Sequence, residues 1–200
     1  MTIDGNGDTV DATALAFTAI WNKGFDFTVE HLTVRHGIGD RIRAGAIQND
    51  PGGNVTITDC IFTQNLGGAG GSLINLPGAT MAVSNSSFTD NDAYDAGGGA
   101  IANFGTMTIS GSTFSSNTAI YDPLVPPLPR ARSAAPAEQA PGDGTGGAIG
   151  NFGGDLTLSG ASNTAGGTGG GINRTGGTVS LTHGVLVLLN RPNNCTGLAC

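Results

Sequence analysis

Short segments in which apolar and polar residues alternate recur along the chain. Three of them begin 26 residues apart, at Val55, Met81 and Met107. Alternation with a period of two is typical of a strand that buries one face. The complete set is Phe27–Val29, Val55–Ile57, Met81–Val83, Met107–Ile109, Leu156–Leu158 and Val179–Leu181.

Two further motifs repeat in step with these segments. FxxN follows three of them, and a glycine-rich motif of the GGAI type, with asparagine just after it, closes each repeat. Each repeat of about 23–28 residues therefore contains three short predicted strands separated by glycine or asparagine turns. The copies are Phe62–Asn65, Phe88–Asn91, Phe114–Asn117, Ala44–Ile47, Gly70–Leu73, Gly98–Ile101, Gly146–Ile149 and Gly169–Ile172.

This repeat predicts an all-β fold, a right-handed parallel β-helix formed by one domain over residues 1–200. Strands this short cannot bury an apolar face alone, whereas stacked coils share one interior. The recurring asparagines are predicted to bond neighbouring turns as ladders. The predicted inward positions are Ile101, Met107, Ile109, Phe114 and their equivalents.

Two segments depart from the repeat. Residues 118–145, rich in proline and alanine, are predicted to form a flexible insertion, and residues 190–200 a C-terminal tail. The run Val185–Leu189 is apolar on both faces, unlike the earlier strands. Such a strand needs cover on both sides, so we expect end-to-end self-association or a neighbouring domain at the C-terminal coil.

The pairing of GGA-aliphatic with FxxN resembles the repeat of the bacterial polymorphic outer membrane proteins. These belong to a wider group of exported β-helix proteins with a pectin-lyase-like fold. The segments Thr2–Gly7 and Asn190–Cys195 also resemble the first and last coils of that group. The resemblance implies a secreted or cell-surface protein but no single activity, because that fold hosts adhesins, lyases, hydrolases and spacers. No signal peptide is visible, and no apolar stretch approaches the ~20 residues of a membrane helix.

Charge and composition narrow the expected partners. The chain has 35 glycines, only 12% charged residues and a net charge of -7, so no basic surface for nucleic acid is expected. His31, His36 and His183 are isolated in the sequence, and no Cys/His spacing typical of zinc is present. We expect neither a cofactor nor a metal site.

The connection between FxxN and the next GGAI motif varies in length from coil to coil. Insertions in repeat proteins gather on edges that often carry function. These connections contain aromatic, carboxylate and arginine side chains, which suit a polysaccharide or another cell surface. We therefore expect a non-catalytic bacterial surface or secreted module that acts in adhesion or glycan binding. The candidate ligand-binding residues are Asp40, Arg41, Arg43, Asp92, Tyr94, Asp95 and Tyr121.

Two other functions are compatible with the sequence. One is a polysaccharide lyase or glycoside hydrolase, with His36, Asp40 and Asp92 as candidate catalytic residues, because inverting hydrolysis needs two carboxylates about 6.5–9.5 Å apart. The other is an ice-binding or purely structural solenoid, because outward strand positions form two columns of mostly threonine and serine. The columns are Thr56, Ala82, Thr108, Thr157, Ser180 and Thr58, Ser84, Ser110, Ser159, Thr182.

Overall fold

The protein folds as a parallel β-solenoid. The computed structural model describes residues 1–13, 17–94, 97–119, 147–164, 171–187 and 195–196. In this part of the chain the regular structure is all β, and parallel strands stack into about five turns with three strands per coil. The β-helical fold predicted from the repeat is therefore confirmed. No helix in the described residues is long and apolar enough to cross a membrane.

The strands are short, and most contain two to five residues. In chain order they are β1 (Thr2–Asp4), β2 (Thr9–Asp11), β3 (Ile20–Asn22), β4 (Asp26–Glu30), β5 (Thr33–Arg35), β6 (Ile47–Asn49), β7 (Asn54–Thr58), β8 (Ile61–Thr63), β9 (Leu66–Gly67), β10 (Leu73–Asn75), β11 (Thr80–Ser84), β12 (Ser87–Thr89), β13 (Asp92–Ala93), β14 (Ile101–Asn103), β15 (Thr106–Ser110), β16 (Thr113–Ser115), β17 (Thr118–Ala119), β18 (Ile149–Ser159), β19 (Ser162–Thr164), β20 (Ile172–Thr182), β21 (Leu186–Val187) and β22 (Cys195–Thr196).

Three walls run along the solenoid. The first wall contains the alternating segments and consists of β1, β4, β7, β11, β15 and the C-terminal halves of β18 and β20. The second wall is the seven-stranded sheet of β2, β5, β8, β12, β16, β19 and β21. The third wall consists of β3, β6, β10, β14, the N-terminal halves of β18 and β20, and β22. Because β18 and β20 run through both, the first and third walls form one 12-stranded sheet.

Equivalent residues of successive repeats pair directly and fill the interior. Val55 is in register with Met81, and Met81 with Met107. The four positions predicted to point inward are at most 1% exposed. In the second wall, Phe88 stacks between two other phenylalanines, with ring centroids 4.9 Å from Phe62 and 4.7 Å from Phe114. The sequence period is therefore the length of one coil.

The recurring asparagines form two buried ladders, as predicted. In one, Asn49 Nδ2 donates to Asn75 Oδ1 at 3.0 Å, and Asn75 Nδ2 donates to Asn103 Oδ1 at 3.0 Å. In the other, Asn91 Nδ2 donates to Asn117 Oδ1 at 2.9 Å. Each donor amide also bonds a backbone carbonyl, so the side chains of the ladders are satisfied by direct contacts within the protein.

A small sheet of β9, β13 and β17 lies between the second and third walls and was not predicted. Together with the next coil, it explains the second glycine of the GGAI motif. A Cβ at Gly99 would lie 2.3 Å from the Gly147 carbonyl oxygen and 2.4 Å from the Thr118 nitrogen, and one at Gly71 would lie 2.0 Å from the Gly99 carbonyl oxygen. Only glycine lets these backbones approach so closely.

The predicted insertion and tail both contribute strands at their edges. Thr118–Ala119, placed at the start of the insertion, form β17 and pair with β13. Cys195–Thr196, placed in the tail, form β22 and pair with β20. Residues 120–146 lie outside the described part of the chain, as does the rest of the tail. Association at the C-terminal coil stays a prediction.

Candidate functional site

The variable connections begin side by side, where the second wall ends. Ile38 pairs with Leu66, and Leu66 with Asp92. Asp92 in turn pairs with Thr118. The four connections therefore leave adjacent coils in one line, as the repeat predicts. We call this surface the variable corner; it comprises residues 38–43, 66–69, 92–94 and 118–119.

Aliphatic side chains are exposed on the variable corner. Ile38, Ile42 and Leu66 each have more than a third of their surface in solvent. Behind them, the Tyr94 hydroxyl donates to the Gly39 carbonyl at 3.0 Å. This bond joins two connections that are separated by a whole coil, so Tyr94 serves the packing of the corner.

Backbone contacts hold the first two connections together. The Gly68 N–H lies 3.0 Å from the Asp40 carbonyl oxygen and 2.9 Å from the Arg43 carbonyl oxygen. The Asp40 side chain accepts from the Ile42 N–H at 3.2 Å. Predicted ligand-binding residues thus stand on a fixed backbone, which favours a preorganised binding surface.

Arg43 extends the corner to Trp21 on β3. Its Cζ is 4.4 Å from the Trp21 ring centroid, and its Nε is 3.6 Å from Asp40 Oδ2. Lys23 Nζ is also 4.4 Å from that centroid, while the indole N–H donates to Asp50 Oδ2 at 2.8 Å. Sequence reasoning missed this cluster. The available signal was a single tryptophan next to the single lysine in a chain with few charges.

Asp92 and Asp40 have different surroundings. Asp92 is half-buried on β13, and burial raises its pKa; the nearby Asp90 carboxylate adds to the rise, and a hydrogen bond from Thr118 opposes it. Asp40 is paired with Arg43 in a coil separated from Asp92 by the coil that contains β9. The two carboxylates therefore have different partners and lie on coils that are not adjacent.

His36 is engaged with neighbouring coils of the second wall. Its Nδ1 is 3.0 Å from Asp11 Oδ1, and its Nε2 is 3.1 Å from Gln64 Oε1. Both ring nitrogens therefore lie within hydrogen-bonding distance of side-chain oxygens on the two neighbouring coils. Asp11 also accepts from the Thr13 hydroxyl and the Arg35 guanidinium, and these bonds, with Thr13 first and His36 second, hold the pKa of Asp11 well below its usual range. His36 therefore links neighbouring coils through its side chain.

His31 has a similar position at the turn between the first and second walls. Its Nδ1 is 3.1 Å from Asp4 Oδ1, and its Nε2 is 3.9 Å from Asp59 Oδ2. The ring lies in an open groove of about 480 Å³. Sequence reasoning gave His31 no role. The groove is lined by Asp4, Asn6, Gly7, His31, Leu32, Thr33, Asp59 and Ile61.

The remaining predicted site residues are placed as follows. Arg41 is partly buried in the variable corner, and Asp95 and Tyr121 lie outside the described residues. Within the described ranges, no group of three or more His, Cys, Asp or Glu side chains is arranged to hold a metal ion.

The outward side of the first wall is a regular polar face. Thr56 pairs with Ala82, Ala82 with Thr108, and Thr108 with Thr157. The connections from this wall to the second wall are two residues long in every described coil from β4 to β19. The positions of these mostly threonine and serine columns are therefore in register, as the sequence predicts, and no insertion lies between them and the second wall.

The strand pairings show that the protein is a parallel β-solenoid and that the connections of the variable corner lie side by side on it. A scan against protein-family models gave no match, and searches of curated proteins and of solved structures gave none either. The resemblance to the polymorphic outer membrane proteins therefore has no family match behind it, and function has to be argued from the contacts described above.

Proposed function

We propose that the protein is a non-catalytic module of a bacterial secreted or cell-surface protein, and that it binds a polysaccharide or another cell surface through the variable corner. The observation behind this proposal is the line of Ile38, Leu66, Asp92 and Thr118, which gathers connections of different lengths on one surface. The connections from the first wall to the second wall, by contrast, are two residues long in every described coil from β4 to β19. Binding residues are often found on loops of variable length that a rigid scaffold holds in place.

The chemistry of the corner suits a glycan. Exposed Ile38 and Leu66 offer apolar contact to the faces of sugar rings, and Asp40 and Arg43 beside them offer hydrogen bonds to hydroxyl groups. The contacts favour binding over the lyase or hydrolase alternative, because His36 is bonded at both ring nitrogens and Asp40 is paired with Arg43.

A polysaccharide array scored for both binding and product release tests this proposal. We expect binding without product, and at least a tenfold loss of affinity in Ile38→Glu, because a carboxylate would replace an apolar contact. Ile61→Glu is the matched control. Ile61 is 47% exposed and Ile38 41%, but Ile61 lies on the second wall.

Two outcomes would overturn the proposal. One is product released from any polysaccharide and abolished by Asp92→Asn, which would make the protein an enzyme. The other is an equal loss of binding in Ile38→Glu and Ile61→Glu, which would move the binding surface away from the variable corner.

Ice binding by the first wall is the second candidate, favoured by the in-register columns of mostly hydroxyl side chains. The test is thermal hysteresis, the gap between the melting and freezing points of a solution holding an ice crystal. Thr108→Tyr should abolish the hysteresis by interrupting one of these columns, while Thr113→Tyr on the second wall should preserve it. No hysteresis in the wild-type protein would reject this candidate.

A further inference from the structure

Positive charge is scarce in this protein, and part of it is concentrated next to the variable corner. The chain has 8 Lys plus Arg against 15 Asp plus Glu. Its single lysine, Lys23, shares the ring of Trp21 with Arg43. Lys23 is exposed and makes no ion pair with any described residue, whereas Arg35 on the second wall is paired with Asp11. The charge of Lys23 is therefore available to a ligand.

Trp21 holds the two cations in fixed positions. Lys23 Nζ and Arg43 Cζ each lie 4.4 Å from the ring centroid, so the two charges are no more than twice that distance apart. A cation over an indole face is attracted by the ring electrons. The ring itself is tied to Asp50 by the 2.8 Å bond from its Nε1. Trp21 is thus a positioning residue. It restricts the two cationic side chains before a ligand binds, so that less of their conformational entropy is lost on binding.

Two exposed phenylalanines stand close to Trp21 and Lys23 in the sequence, Phe17 before them and Phe25 after them. Phe17 is 66% exposed and Phe25 is 70% exposed. The Thr18 hydroxyl donates to the Ala44 carbonyl at 2.8 Å, which joins the residue after Phe17 to the residue after Arg43. The backbone carbonyl of Phe25 accepts from Asn22 Nδ2 at 2.7 Å. This segment, together with Arg43, therefore carries exposed aromatic side chains and a pair of cations. We call it the Trp21 patch: Phe17, Trp21, Lys23, Phe25 and Arg43.

We propose that the Trp21 patch binds an acidic polysaccharide, one with carboxylate or sulfate groups on its sugars. Lys23 and Arg43 donate charge-assisted hydrogen bonds to the acid groups, and Phe17 and Phe25 pack against sugar faces. This inference rests on the proposed function and names its ligand class, since Arg43 belongs to both surfaces. Asp26 beside Phe25, Asp40 paired with Arg43 and Asp50 beside Trp21 disfavour an anionic membrane, whose charge is continuous, and leave room for a polymer with spaced charges.

Binding to three dextrans tests this inference: carboxymethyl-dextran, dextran sulfate and neutral dextran. They share one sugar backbone and differ in charge, so any difference in affinity reports on the acid groups. We expect the full chain to bind at least one of the charged forms and to show no binding to neutral dextran. In Lys23→Gln/Arg43→Gln, affinity should fall at least tenfold, and in Trp21→Leu it should fall severalfold because the cations lose their support. Arg35→Gln, which removes a cation from another wall, should bind as the wild type does. Affinity should also weaken as salt is added.

Three results would overturn the inference: equal binding to neutral dextran, unchanged affinity in the double variant, or binding to phosphatidylserine vesicles with no binding to any dextran. These failures differ from failure of the proposed function. A neutral glycan found on the array, with binding lost in Ile38→Glu, would preserve the variable corner as a binding surface and reject only the acidic ligand.

Discussion

Buried polar side chains bond to their own copies in the next coil. The Asn91 amide donates to Asn117 Oδ1 at 2.9 Å and to the Phe62 carbonyl at 3.0 Å, and its oxygen accepts from the Asn65 N–H at 3.1 Å. A buried donor or acceptor without a partner costs about 1–3 kcal/mol. A one-residue slip between coils would break these bonds, so the asparagine ladders fix the register.

Replacement of Asn91 tests this role of the ladders. Asn91→Ala should lower the free energy of unfolding by about 2–4 kcal/mol, because partners in both neighbouring coils are left unpaired in the interior. Asn54→Ala, on the exposed face of the first wall, should change it by less than about 0.5 kcal/mol. Urea unfolding measures both. Similar values for the two variants would contradict a structural role for the ladder.

The pKa values of two aspartates at the N-terminal coil predict local sensitivity to acid. The pKa values of Asp4 and Asp11 lie below the ordinary value of 3.8, chiefly through bonds from the Asn6 N–H and the Thr13 hydroxyl. A carboxylate with a lowered folded-state pKa stabilises the fold above pH 3.8, and this contribution is lost as the pH falls through the folded-state pKa.

Hydrogen exchange should therefore show β1 and β2 losing protection below pH 3.8 before the central coils do. Asp11→Asn should reduce this difference, since its side chain no longer titrates. Simultaneous loss of protection along the whole solenoid, unchanged in Asp11→Asn, would contradict the assignment.

At the scale of elements, the glycine pairs lie where the backbones of neighbouring coils approach most closely. The small sheet of β9, β13 and β17 occupies the space that a side chain would need at Gly71 or Gly99. Gly99→Ala should cost more than 3 kcal/mol, because a new Cβ would meet backbone atoms that cannot move aside. Gly7→Ala is the comparison, since Gly7 has φ near 86° and open space around it.

Gly7→Ala should lower the free energy of unfolding by about 1–2 kcal/mol, from backbone strain alone. Calorimetric or denaturant unfolding of both variants distinguishes the two causes. An effect of Gly99→Ala no larger than that of Gly7→Ala would show that the close approach at Gly99 relaxes easily.

The walls could be predicted from sequence because a strand with one buried face carries a period of two, as in Asn54–Thr58. The two-residue strand Leu66–Gly67 carries no period, so the small sheet could not be foreseen. The contacts of His36 with Asp11 and Gln64 also lay beyond sequence reasoning, because Asp11 belongs to no repeated motif and Gln64 occupies a variable position of FxxN. The position of the variable corner could be predicted from the repeat. Its contact with Trp21 could not, because it depends on the conformation of the connection that carries Arg43.

At the scale of the whole molecule, the proposed function depends on register kept over many coils. Each coil is stabilised by its two neighbours, so the variable corner exists only if the repeats stack in register along the solenoid. Thr28 and Ser180 belong to such a column, linked through Thr56, Ala82, Thr108 and Thr157. Five steps of about 4.8 Å separate their backbones by roughly 24 Å.

A spin-label distance between these two positions tests the stacking most directly. Cysteines replace Thr28 and Ser180, and serines replace the three native cysteines; serine already stands at the position of Cys60 in the next two coils, as Ser86 and Ser112. Double electron–electron resonance should then give a narrow distribution of distances near roughly 24 Å, broadened only by the label linkers. A broad distribution centred far beyond that distance would contradict an in-register solenoid, and with it the variable corner.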